Sequence, residues 1–414
     1  MGMKKIISRL AFLSFCGQIP VHAQQTMVVT SGSVVTVQSG ANMYISGGII
    51  LDDQSKLFNE GTVTISNPGS TTIDFKDIST TSYRYGSGKF IFAGQGNQRL
   101  LSANQFGQIE INNGGLDLAS DISSGYWTLN SGKINTGSYF VIVGSADADA
   151  ISAGRFNEGF SKSWINGKMR RFVNPSATNS YLFPVGDYSK VNIAMMNDLS
   201  NHPLTGIRFI NASFTSRSGN DGGLNISLPG KTCTGVCNGG VWHLQPNADP
   251  TSGHYSLQLF INGFTGLENK EFSIINRPDA SVNAAEWLIP SGDPVAGNSS
   301  LYVSRNRLSS FGQFGIGIIT RVTPVISNTE TGKTNSLKVY PNPVIDKEFY
   351  VEFKGGKING LKLIAGDGKI VACNFNLQKS GQLRVTLPFL LAKGIYTLQI
   401  DTENGLHSTL ISLQ

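Results

Sequence analysis

Charge is scarce in this chain. Asp, Glu, Lys and Arg together make up only 14% of its 414 residues. Lys and Arg do not gather into a stripe with interleaved aromatics, which argues against a nucleic-acid surface. Histidine is rarer still, with five residues in all and no H-E-x-x-H spacing, so the sequence offers no zinc-hydrolase helix. A G-x-S-x-G nucleophile elbow is also missing. Two close acidic pairs stand out, Asp147 with Asp149 and Asp52 with Asp53. Either could serve Ca²⁺, which takes several oxygens, but exposed polar loops are the commoner setting. The sequence therefore nominates no catalytic, cofactor or metal residue, and the expectation is a protein that is not an enzyme. Outside the first residues no amphipathic helix is legible, and no later apolar run is long enough for a transmembrane helix.

Cysteine is limited to four residues. Cys16 lies in a segment that reads as a secretory signal over 1–23. Lys4, Lys5 and Arg9 form its positive region, Ile6 to Ile19 its apolar stretch, and Val21-His22-Ala23 a small-x-small cleavage site. Lipid attachment at Cys16 would need a small residue where Phe15 stands. Loss of the signal lowers the formal net charge from +6 to +3. Cys233 and Cys237 sit in a short Gly- and Thr-containing stretch that reads as a loop, and in an oxidising compartment they are expected to pair and staple it. Cys373 is left as a small buried hydrophobe.

Glycine, by contrast, is abundant at 48 residues, and short β-rich runs alternate with Gly- and Asn-containing turns along the chain. This is an all-β profile. In 24–150 the runs include Val34-Val35-Thr36-Val37, Thr62-Val63-Thr64-Ile65, Lys89-Phe90-Ile91-Phe92 and Tyr139-Phe140-Val141-Ile142-Val143. Strands this short bury little one by one, but stacked as rungs their inward residues make one core. We therefore expect a β-helix-like solenoid, although a sandwich with long hairpins would space its strands similarly. Asn112-Asn113-Gly114 and Asn130-Ser131-Gly132 read as turns.

Residues 151–320 read as a second β-rich, sandwich-like domain. Trp164, Trp242 and Trp287 are expected to anchor its core rather than stack on sugars. Trp127 with Tyr126, if exposed on the solenoid, would instead suggest carbohydrate binding. The phrases Trp164-Ile165-Asn166-Gly167-Lys168-Met169-Arg170 and Phe183-Pro184-Val185-Gly186 resemble a recurrent module of Bacteroidota surface proteins, one that implies no chemistry. Residues 321–336 are polar, carry Pro and Gly, and read as a linker.

The end of the chain, 337–414, holds the most specific pattern. It opens with Val339-Tyr340-Pro341-Asn342-Pro343, continues through Gly368-Lys369-Ile370-Val371, and reaches Leu391-Ala392-Lys393-Gly394-Ile395-Tyr396-Thr397-Leu398-Gln399-Ile400. In order and position these segments resemble the C-terminal sorting domain of type IX secretion cargo. The resemblance implies an immunoglobulin-like fold and marks Tyr340, Pro341, Asn342, Pro343, Gly368, Gly394 and Tyr396 as its motif residues. The prolines are expected to launch the first strand. It also implies Sec export through the periplasm, a type IX translocon and a sortase-like protease as partners, and a secreted or outer-surface location. Membrane association would then come only through export or attachment. Adhesion or envelope interaction is the expected role of the body, with an extracellular glycan or other surface ligand as its partner. Carbohydrate binding is the alternative, and a β-helix polysaccharide-active enzyme the more remote one.

Overall fold

The computed structural model describes residues 26–321 and 337–414, apart from short segments at 68–71, 81, 113, 154–161, 177–179, 200–202, 217–223, 225, 229–230, 262, 268–269, 295–300, 354–356, 366–367, 372, 379–381, 388–390 and 404. The expected secretory signal and most of the expected linker lie outside the described residues. The chain divides into two compact units, Met1–Thr320 and Arg321–Gln414. Both are all-β, and among the described residues the one helical element is a single 3₁₀ turn at Ala284–Glu286.

The first unit begins as a parallel β-solenoid. Met27–Val29 lies in register on Ile49–Leu51, which lies on Phe75–Asp77. Val34–Val37 lies on Lys56–Asn59. Asn42–Ile45 lies on Thr62–Ile65, then come Lys89–Phe92 and Phe106–Ile111. Alternation makes this work: Val63 and Ile65 point in while Thr62 and Thr64 line the outer face. Each apolar residue so buried contributes about 1.5–3 kcal/mol before entropy is counted. The column is plugged by aromatic rings, with Phe75 5.4 Å from Phe106 and 5.8 Å from Phe90. Turns carry the outward polar groups. Gly114 and Gly132 adopt φ of 49° and 83°, as the turn reading of their Asn-Gly and Ser-Gly stretches requires.

The stack does not stop at residue 150. Lys133–Val143 pairs in parallel with Ile165–Phe172, and that strand turns the sheet from parallel to antiparallel. Its partner Phe209–Thr215 is followed across the sheet by Val241–Pro246, Gly312–Arg321 and Glu271–Arg277. A five-stranded sheet centred on Tyr255–Phe260 shares the same buried cluster. Arg171, on the turning strand, is fully buried. Its guanidinium donates to the carbonyls of Leu182 and Ala148, the latter at 2.5 Å, and stands over the Tyr181 ring. Burial draws its pKa down to about 10. The four tryptophans are all core residues. Trp127, Trp164 and Trp242 donate to the carbonyls of Ile142, Asp187 and Asn192, and Trp287 lies under the guanidinium of Arg277.

The cysteine expectation needs correction. Cys233 lies on a strand, Lys231–Val236, and not in a loop. Thr234 meets Thr320, and the Cys237 amide donates to the Ile316 carbonyl, so the segment runs extended along Gly312–Arg321. Extension holds the two thiols apart, in different buried clusters, and neither is bridged. Burial pushes the Cys233 thiol up. Cys373 is half-buried.

The second unit holds two four-stranded antiparallel sheets. One contains Lys338–Tyr340, Glu348–Glu352, Gln382–Thr386 and Asn374–Leu377; the other contains Ile370–Val371, Ile358–Ala365, Gly394–Thr402 and Gly405–Leu413. Phe349, Val351 and Val385 from the first meet Leu363, Leu398 and Ile400 from the second in one core.

Candidate functional site

The entry motif of the tail closes onto its last strand. Lys338–Tyr340 is already paired with Glu348–Glu352, so Pro341 and Pro343 end the first edge strand instead of launching it. That corrects the sequence expectation; a residue without an N–H closes a strand as readily as it opens one. Asn342, between the two prolines, takes over the lost backbone pairing with its side chain. Its amide donates to the Leu410 carbonyl at 3.1 Å, and its Oδ1 accepts from the Ser412 N–H at 2.9 Å. The Val344 N–H then donates to the Ser412 carbonyl, and Gln414 donates back to Val344. The entry motif is thereby buttoned onto the last strand.

Tyr340 stacks on Tyr350 with ring planes 23° apart. Gly368, at φ 84°, makes the turn before Ile370–Val371, although its neighbour Asp367 lies outside the described residues. Gly394, at φ 155°, opens the strand that buries Tyr396, Leu398 and Ile400. The Tyr396 hydroxyl donates to the Ala392 carbonyl at 2.7 Å, which ties the strand to the turn before it. The motif residues are thus fold-defining groups set along one edge, in the turn at Gly368 and at the start of the strand Gly394–Thr402, with no reactive constellation among them.

The body carries two polar arrangements, the first absent from the sequence reading and the second built around Tyr126 and Asp147, which that reading singled out separately. In the first, the His243 Nδ1 lies 2.7 Å from the Asp279 carboxylate and its Nε2 lies 2.8 Å from the Thr215 hydroxyl. The three are brought together by antiparallel pairing of Phe209–Thr215 with Val241–Pro246 and by the turn after Glu271–Arg277. Gln313, opposite His243, fixes that turn by donating to the Asp279 and Ser281 carbonyls. Acid, imidazole and hydroxyl in line are the elements of a proton relay. Here the hydroxyl belongs to a threonine on a sheet face, where the ladder consumes the backbone N–H groups that would have to stabilise an oxyanion.

The second arrangement is a furrow on the solenoid of about 370 Å³, floored by Gly86, Gly107 and Gly125 and flanked by Arg84, Gln105 and Tyr126. Asp147, from the acidic pair, accepts from the Tyr126 hydroxyl at 2.5 Å and from Ser145 at 2.8 Å, and these bonds lower its pKa. Asp53 accepts from the Thr80 N–H and hydroxyl across one rung. Among the described residues no three His, Cys, Asp or Glu side chains gather as a metal site would require.

An all-β body followed by a separately cored β-module defines the class of a passenger with an appended tail. Residues 338–412 match the secretion system C-terminal sorting domain family. The chain carries a type IX secretion C-terminal sorting domain and is exported, to the cell surface or beyond, through interaction with the type IX machinery. No curated protein matches the chain.

Proposed function

We propose that the body is a non-enzymatic module displayed outside the cell for adhesion or envelope interaction, with the tail acting only in export. In this reading the chain enters the periplasm through Sec by the signal at 1–23. The tail then engages the translocon, and a sortase-like protease removes it near the linker. The carrying observation is the division of the chain into a body and a tail, each with a core of its own, the tail matching the sorting family. The non-enzymatic part is supported by the tryptophans, all buried, and by the Thr215–His243–Asp279 cluster, whose side chains hold a turn against a sheet face. Deletion of 337–414 tests the reading. The truncated body is expected to accumulate in the periplasm; a body still found outside the cell overturns it. Carbohydrate binding, the second reading, finds no support in Trp127, which is buried, but does in Tyr126, which is 39% exposed at the furrow.

A further inference from the structure

The furrow owes its shape to backbone stacking. A Cβ on Gly107 would come within 2.4 Å of the Gly86 carbonyl oxygen, and one on Gly125 within 2.9 Å of the Gly107 carbonyl oxygen. Three rungs in succession therefore present bare backbone, and the side chains on either side stand above it. Its volume falls in the range of small-molecule and oligomer sites.

The walls are chemically unequal. Tyr126 offers an aromatic ring whose hydroxyl is tethered to Asp147, so the ring is held in place before any ligand arrives. An aromatic face with few rotatable bonds is an efficient platform for an apolar ring face. Also lining the furrow, Arg84 pairs with Gln105 through backbone only. Neither the Arg84 guanidinium nor the Gln105 amide makes a side-chain hydrogen bond or ion pair among the described residues. Gln108 is already engaged with the Ser87 carbonyl. Arg84 is thus an uncompensated cation presenting a planar fork, which suits a carboxylate or sulfate held by two parallel bonds.

We propose that this furrow binds an acidic polysaccharide, with a sugar ring on Tyr126, its carboxylate or sulfate on Arg84 and a hydroxyl on Gln105. The proposal deepens the reading of the body as an exported binding module by naming the ligand class. Its test does not depend on export. The protein purified from culture is titrated calorimetrically with polygalacturonate, dextran sulfate and neutral dextran, the first two separating carboxylate from sulfate as the acidic group. At least one acidic polymer should bind and neutral dextran should not. Tyr126→Ala and Arg84→Ala should each weaken that binding about tenfold, as truncation of an aromatic or Arg anchor does. Tyr126→Phe should keep most of it, because the ring remains. Every variant should melt as the parent does. Absence of binding to both acidic polymers, equal binding of dextran, or acidic binding untouched by the two alanine changes would overturn the proposal. Failure of the periplasmic-accumulation test would leave these titrations intact, so the two ideas fail separately.

Discussion

Two buried or half-buried side chains show what polar groups do in this body. Asp74 is fully buried, takes a hydrogen bond from Asn67 and another from the Arg99 N–H at 2.6 Å, and burial raises its pKa. The sign follows by linkage: the folded state holds the proton to higher pH than the unfolded chain. Stability from this group is therefore present below pH 3.8, the unfolded value, and is lost as pH rises through the folded pKa. Urea midpoints of the parent and Asp74→Asn, compared from pH 3 upward, should show the parent losing more on that rise. Parallel profiles would contradict the assignment. His243 is different, since a quarter of its side chain reaches solvent and water can replace what it holds. His243→Ala should cost about 1 kcal/mol in chemical denaturation, because Asp279 and Thr215 regain water partners. A loss of several kcal/mol would mean that the pair is sealed from solvent.

At the scale of elements, glycines separate two costs. Gly107 needs room, because the oxygen a Cβ would strike is backbone and cannot swing away; Gly137, at φ 58°, has open space around it and needs only its conformation. Gly107→Ala should therefore destabilise by about 1–3 kcal/mol through displaced rungs, and Gly137→Ala by about 1–2 kcal/mol through left-handed strain. The more telling difference lies in near-ultraviolet dichroism. It should change for Gly107→Ala, whose rung bears Phe106 and the aromatic plug, and stay constant for Gly137→Ala.

The same elements show what could be read in advance. Runs such as Thr62–Ile65 declare their inner and outer faces by alternation, so strands, turns and buried tryptophans were legible. Pairing was not. Ile49 lies on Phe75 while Leu116 lies on Ile134, and rungs of such unequal length give no fixed period to detect. For that reason the continuation of the stack past 150 leaves no mark in the sequence, nor does the cluster of Thr215, His243 and Asp279, whose members are remote from one another along the chain. Cys233 and Cys237 misled because Thr and Gly around them suggest a turn, whereas the neighbouring strand Gly312–Arg321 pulls the segment straight. The furrow left only a faint trace, glycine recurring at 86, 107 and 125 with Tyr126 beside it.

For the whole molecule, the decisive feature is that each unit owns its core. The tail closes on itself: Asn342 and Val344, near its start, are bonded to Leu410 and Ser412, near its end. A module of this size, with both sheets contributing to one apolar cluster, is large enough to fold alone. The isolated 337–414 segment should therefore give a dispersed amide spectrum and a cooperative melt. Ending the chain at 404 removes Gly405–Leu413, and with it Ile411, Leu413 and both partners of Asn342. That fragment should be unfolded, since it exposes the edge of Gly394–Thr402 and strips Ile411 and Leu413 from the core. Asn342→Ala in the complete segment is the intermediate case. It leaves the core whole and removes two hydrogen bonds at an exposed site, so it should cost about 1–2 kcal/mol and lower the melting temperature without abolishing the fold. If the 404 truncation stays folded, or Asn342→Ala melts unchanged, the ends are not what holds the module shut.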